Sequence, residues 1–167
     1  MKYYAGIGSR ETPLNVCYAM QKIAEKLSNQ SYCLRSGGAP GADTAFECGA
    51  QHKEIFLPWN GFNNKWVDGK QYIVPPLNKK YVKQFHPSPS KLKEGGILLM
   101  SRNTYQVLGQ NLNDPVSFLL CWTKDGSATG GTGQAIRIAN HFNIPVFNIK
   151  NGYEDFANFM TMSMLCG

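Results

Sequence analysis

Ser36-Gly37-Gly38-Ala39-Pro40-Gly41-Ala42-Asp43 stands between an apolar run, Ser31 to Arg35, and a helical stretch, Gly41 to Gln51. A second stretch of the same kind, Thr129-Gly130-Gly131-Thr132-Gly133-Gln134, joins the apolar run Val116 to Cys121 to the helical stretch Gly131 to Phe142. Strand, glycine-rich turn and helix in that order form the unit that builds a parallel sheet. A helix start leaves backbone N–H groups unpaired and carries the positive end of the helix dipole. Glycine lets an anion approach that backbone closely, which suits phosphate. Two such turns in one chain point to a phosphorylated ligand, most simply a nucleotide.

The alternation extends in both directions. Lys2 to Ile7 reads as a buried strand, and Glu54 to Leu57 as another closed by Pro58. Pro13 to Ser28 places Cys17, Met20, Ala24 and Leu27 at helical spacing, with Thr12 as the cap and Pro13 in the first turn. Ala42, Ala45, Phe46 and Gly49 form the inner face of the next helix. Glu94 to Leu108 is a helix with Ile97, Met100, Ser101, Tyr105 and Leu108 on one side. Ala135, Ile138, Ala139 and Phe142 face inward on the helix that follows. Pro145 to Ile149 is the fifth strand, and Tyr153 to Met164 the last helix, with Tyr153, Phe156, Ala157, Met160 and Met164 in phase. The expected fold is α/β: a Rossmann-like parallel sheet of about five or more strands with helices on both faces and right-handed crossovers. Ligands of such sheets bind beyond the carboxyl edge, where strand order reverses, and the glycine-rich turns all fall there.

Asn60 to Lys93 breaks the pattern with four prolines, five aromatics and seven lysines against one acid, Asp68. It reads as an irregular insertion with at most one short helix near Asn78 to Gln84. Its charge of +6 equals that of the whole chain. The segment is either a solvated surface excursion or a patch for polyanions, with Lys79, Lys80 and Lys83 as the nucleic-acid candidates.

At 167 residues the chain is expected to be one domain. No apolar run reaches the roughly 18 residues that span a bilayer. Met1 to Gly6 enters a strand without a signal-peptide pattern, so the expected location is the cytoplasm. Five scattered cysteines suggest no disulfide framework, and four of them are expected to be buried thiols. Neither these nor His52, His86 and His141 have metal-ligand spacing, so no metal and no cofactor is expected.

Three turns carry the candidate site. In Gly6-Ile7-Gly8-Ser9-Arg10, Gly8 and Ser9 offer amides, while Arg10 pairs either with a ligand anion or with Glu11 or Asp43. In the second turn Ser36, Gly37 and Gly38 approach phosphate, and Asp43 either caps the helix or reaches a ribose hydroxyl. Glu47, one turn further on, is a second polar contact or a solvated residue. In the third, Gly130, Gly131, Thr132 and Gly133 are the strongest phosphate candidates. Trp122 and Thr123 follow the strand before it. Trp122 stacks on a base or belongs to the core, and Arg102 is buried or aimed at the cleft.

Gly6-Ile7-Gly8-Ser9-Arg10, Ser36 to Asp43 and Gly130-Gly131-Thr132-Gly133 together resemble the SLOG superfamily. That group includes the DNA-processing protein DprA/Smf, the LOG phosphoribohydrolases, molybdenum-cofactor-carrier proteins and ligand-sensing domains of antiphage systems. The likeness covers most of the chain outside Asn60 to Lys93, and is nearest to small stand-alone DprA-like proteins, many of them encoded by bacteriophages. The resemblance implies a Rossmann-like sheet that binds a nucleotide-derived ligand, with phosphate contacts at Gly37, Gly38, Gly130, Gly131 and Thr132. It also implies a homo-oligomer and, for a phage protein, the host cytoplasm. LOG enzymes carry a glutamate after their Gly-Gly turn. This chain has Thr132-Gly133-Gln134-Ala135-Ile136-Arg137, and neutral Gln134 cannot supply the charge an oxocarbenium-like centre needs.

Three functions follow. The first is binding of a nucleotide-derived small molecule, which in a phage setting would sequester a host immune signal. The second is hydrolysis of a nucleoside monophosphate, with Glu47 or Asp43 as the catalytic carboxylate. The third is single-stranded DNA binding through the lysines and aromatics of the insertion.

Overall fold

The structure, a computed structural model, describes residues 1–166. Six strands form one sheet: β1 (Lys2–Gly6), β2 (Tyr32–Ser36), β3 (Lys53–Phe56), β4 (Tyr72–Ile73), β5 (Leu119–Cys121) and β6 (Val146–Asn148). Every pairing is parallel, and the order is β4-β3-β2-β1-β5-β6. The chain builds outward from β1 to β4, then returns to lay β5 on the other side of β1. Strand order therefore reverses between β1 and β5, where Ala5 pairs with Leu119 and Gly6 with Leu120. The helices are α1 (Leu14–Asn29), α2 (Ala42–Gly49), α3 (Lys79–Phe85), α4 (Glu94–Leu108), α5 (Gly130–His141) and α6 (Glu154–Leu165).

Side chains alternate across a strand, so each strand feeds two cores. Tyr4, Leu34, Phe118 and Leu120 join residues of α1, α2 and α6 on one face. Ala5, Ile7, Leu119 and Cys121 join residues of α4 and α5 on the other. Phe118, 0% exposed, is the hub of the first core. Its ring lies 5.5–5.7 Å from the rings of Tyr4, Tyr32, Phe156 and Phe159. The expected parallel α/β sheet is the one observed, with one strand more than the five read from apolar runs.

The extra strand comes from the insertion. Asp68 Oδ1 accepts the amides of Lys70, Gln71 and Tyr72 at 2.8–2.9 Å, and this turn launches β4. Two ladder bonds of 2.7 Å, Ile55 N–H to Gln71 O and Leu57 N–H to Ile73 O, dock it on β3. A two-residue strand has no periodicity to read. The remainder of the insertion lies over α4: Tyr105 Oη donates to Pro76 O at 2.7 Å, and the Asn78 amide to Ser101 Oγ at 2.7 Å. Hence α4 is buried on all sides from Met100 to Leu108, where the sequence pattern suggested a single face.

Other readings shift for local reasons. β5 begins at Leu119 rather than Val116. Thr12 does not cap α1: its hydroxyl donates to Ser9 O at 2.7 Å, and Pro13 holds the cap position. Tyr153 and Met164 are exposed, because α6 buries only Met160 fully and packs Phe156 and Phe159 on the core. Of the cysteines, Cys33 and Cys121 are buried, Cys17 is half-buried, and Cys48 and Cys166 are exposed. No described helix is long and apolar enough to cross a membrane.

Phe118→Ala removes the ring at the centre of the larger core. The expected cost is about 3–5 kcal/mol of unfolding free energy, measured by urea titration.

Candidate functional site

The site lies at the β1/β5 switch point, where strand ends and helix starts meet one stretch of α4. β1 runs out into Ile7, Gly8, Ser9 and Arg10, and β5 into Thr123 and Lys124. The start of α5 contributes Thr129 to Thr132, α4 contributes Leu99, Met100, Arg102, Asn103 and Gln106, and α2 contributes Asp43. Together they line a cavity of about 630 Å³, within the usual size range of a small-molecule site.

The α5 end is open. The Gly133 amide bonds to Thr129 O, but the amides of Gly130, Gly131 and Thr132 meet no acceptor among the described residues. Thr129, at the cap position, turns its hydroxyl to Asp125 Oδ1 at 2.8 Å and leaves the helix uncapped by any side chain. Asn103 Nδ2 donates to Gly131 O at 2.9 Å and ties this turn to α4. Three donors at the positive end of a helix dipole thus face the cavity together.

The second glycine-rich turn is arranged differently. Asp43 Oδ2 accepts the amides of Gly37 (3.2 Å) and Ala39 (3.3 Å), and Oδ1 accepts that of Gly8 (3.2 Å). Of the donors that sequence reading assigned to phosphate here, the Gly37 amide is held by the protein's own carboxylate. Ser36 Oγ donates to Gly6 O at 2.6 Å, and Gly38 O accepts from Asn63 Nδ2 at 2.9 Å. Gly41 has φ +82°, and a Cβ there would lie 2.7 Å from Ser9 O. That close approach lets the β1 and β2 turns share one carboxylate.

Arg102 lies beside this arrangement, 6% exposed. Its Nη1 donates to Gly37 O and Phe56 O, and its Nε to Asn103 Oδ1 at 3.0 Å. The guanidinium groups of Arg102 and Arg10 stand 5.6 and 5.8 Å from the ring of Phe62, which the insertion supplies. Burial pushes the Asp43 carboxyl up to about 6, although the Arg102 charge and the amides of Ala39, Gly8 and Gly37 favour its ionised form. Burial likewise draws the Arg102 guanidinium down to about 10, against the pull of Asp43.

The structure brings Gly8, Ser9, Arg10, Asp43, Arg102, Thr123, Gly130, Gly131 and Thr132 to one cavity. Ser36, Gly37, Gly38 and Gly133 support its walls without lining it. Trp122 is 6% exposed within the core, with Lys150 Nζ 5.9 Å from its ring, and does not line the cavity. Glu47, one helical turn beyond Asp43 on α2, does not line the cavity and instead meets Lys65 at 2.9 Å, Lys53 at 3.8 Å and the Tyr72 hydroxyl at 2.5 Å. There it fastens the insertion and takes no place in the cavity. The Thr123 hydroxyl donates to Ser127 O at 2.8 Å and accepts from Asn148 Nδ2 at 2.6 Å, bracing the loop before α5. Sequence reading missed Asn103, Gln106 and Lys124. The available signal was polarity inside α4: Gln106 lies four residues after Arg102, on the same helical face.

Asp43→Ala would leave the buried amides of Gly37 and Ala39 and the half-buried amide of Gly8 without their acceptor, a loss of about 2–3 kcal/mol at roughly 1 kcal/mol each, read by urea unfolding. The pH dependence has a definite sign. Asp43 ionises near 3.8 ordinarily and near 6 in the folded protein. Below the lower value both states are protonated. Between the two values the unfolded chain ionises first, so the Asp43 contribution to stability falls as pH rises, and it is constant above about 6. Titrated from about pH 4 to about pH 7, wild type is expected to lose stability relative to Asp43→Asn only up to about pH 6.

No protein-family model matches this chain, and no curated protein matches it. Among solved structures it is similar to DNA processing protein A from Helicobacter pylori, whose structure was described for its single-stranded DNA binding mode. The TM-score is 0.59 and the identity 16%, covering 98% of this chain and 80% of that one. At that identity the likeness is one of fold: a DprA-like, Rossmann-like sheet.

Proposed function

We propose that this protein binds a nucleotide or nucleotide-derived small molecule in the switch-point cavity, with a phosphate on the amides of Gly130, Gly131 and Thr132. The observation that carries this reading is the set of three unpaired donors at the start of α5. Arg10 and Lys124 line the same cavity and add positive charge. Met100 and Leu99 offer apolar surface beside them.

Binding without cleavage is the form of the reading the side chains favour. Both oxygens of Asp43 are engaged by backbone amides, and Glu47 is ion-paired outside the cavity. Neither carboxylate is free to stabilise a developing sugar cation. Sequestration of a nucleotide signal is the biological role consistent with such a site.

Single-stranded DNA is the second reading, favoured by the likeness to DNA processing protein A. Lys79, Lys80 and Lys83 are exposed on α3 and make no ion pair among the described residues.

The test uses Gly131→Asp. A Cβ at Gly131 meets only Met100 Cε, at 3.5 Å, so the variant fits. Its carboxylate occupies the phosphate position and favours the helix dipole by about 0.3–1 kcal/mol. Melting temperature is therefore expected to hold or rise. A nucleotide from a broad panel at about 100 times Kd should stabilise wild type by about 2.7 kcal/mol, and that gain should vanish in the variant. No stabilisation of wild type by any nucleotide overturns the reading. Salt-dependent DNA binding that survives Gly131→Asp but is lost when Lys79, Lys80 and Lys83 become alanine supports the second one instead.

A further inference from the structure

Gln106 is 1% exposed, lies on α4 and lines the cavity. Its side chain takes part in no hydrogen bond among the described residues, yet neither carboxamide atom is among the sealed, unpaired polar atoms, which include Tyr4 Oη and Thr104 Oγ1. The carboxamide is thus uncommitted and open to the cavity. Its neighbours cannot absorb it. A Cβ built on Gly37 would fall 2.2 Å from Gln106 Nε2, so glycine leaves room for the group there. The Gly37 amide is already given to Asp43, and the Gly37 carbonyl receives Arg102. Asn103, three residues earlier, spends both ends of its amide on Arg102 Nε and Gly131 O.

Position adds meaning to the missing bond. The open amides of α5 lie beside Gly131, whereas Gln106 lies beside Gly37 in the second glycine-rich turn. The cavity thus has a phosphate-suited end, and elsewhere a neutral group able both to donate and to accept. A carboxamide is poorly suited to hold a phosphate against competing water. It is well suited to a nucleobase edge, which presents donors and acceptors side by side.

We propose that Gln106 is the specificity residue of this cavity, hydrogen-bonding through its carboxamide to the base edge of the bound nucleotide. The inference rests on the nucleotide-binding reading and adds the part of the ligand that is discriminated. Gln106 selects among ligands because a base that does not complement it leaves the carboxamide buried and unpaired. The same chemistry is presented by a free mononucleotide and by a nucleotide at the end of a DNA strand.

The experiment is calorimetric titration of wild type, Gln106→Leu and Gln106→Met with ribose 5-phosphate, the four nucleoside 5'-monophosphates, and four short single-stranded oligodeoxynucleotides that differ in their 5'-phosphorylated terminal base. For wild type, one base is expected to bind at least about tenfold more tightly than ribose 5-phosphate. Both apolar variants should lose that preference, the favoured nucleotide falling to within about threefold of the base-free sugar phosphate. They should also melt close to wild type, since no hydrogen bond among the described residues is removed. If the oligonucleotides carry the base preference and the free nucleotides do not, the source is a strand end. Retention of the full base preference in a folded Leu or Met variant overturns the role of Gln106. So does equal binding of all four nucleotides and ribose 5-phosphate to wild type, with no base preference among the oligonucleotides. In both of those cases phosphate binding itself survives. Absence of binding by every ligand removes the nucleotide reading and this inference together.

Discussion

One buried carboxylate organises the centre of this molecule. Asp43 is 3% exposed and gathers amides from two separate turns, Gly8 after β1 and Gly37 and Ala39 after β2. These turns face each other only because their strands are parallel neighbours, in register from Lys2 against Tyr32 to Ala5 against Arg35. The carboxylate satisfies donors of these turns that would otherwise be orphaned, and the dipole of α2, in whose first turn it lies, favours its charge. Arg102 adds an opposing charge from α4 without a direct ion pair to it. The position is thereby locked from three elements at once.

That lock divides labour between two similar-looking turns. The Ser36–Asp43 turn carries its own anion, and its amides are used to hold the β1 and β2 connections together. The Thr129–Gln134 turn carries none, because Thr129 bonds back to Asp125 instead of capping α5. Electrostatics agree with this division. The cavity is lined by three cations, Arg10, Arg102 and Lys124, against two carboxylates, Asp43 and Glu11, and the lock engages one of those carboxylates.

The insertion, which breaks the sequence pattern, completes the fold. It provides the sheet edge β4, covers α4, and places Phe62 between Arg10 and Arg102. Glu47 anchors it by binding Lys65 and Tyr72, and burial together with the Glu47 carboxylate pushes the Tyr72 hydroxyl up to about 12. A segment with a charge of +6 is thus partly consumed in structure, since Lys65 is paired while the lysines of α3 remain exposed.

The parallel α/β sheet, the boundaries of α4 and the place of the cavity at the carboxyl edge were legible in the residues alone. They follow from apolar period and from glycine at strand-to-helix turns, both of which are local properties. Local pattern could not say which amides stay open. Gly37 and Gly131 look alike in sequence, yet one amide is spent on a carboxylate six residues away and the other meets none. Trp122, Glu47 and Gln106 were undecided or unseen for the same reason: the direction of a side chain is set by what packs against its element. Sequence alone determined the layers and the edge where a ligand fits. Tertiary structure alone decided which donors face it, because a hydrogen bond is claimed by whichever acceptor the folded chain brings within reach.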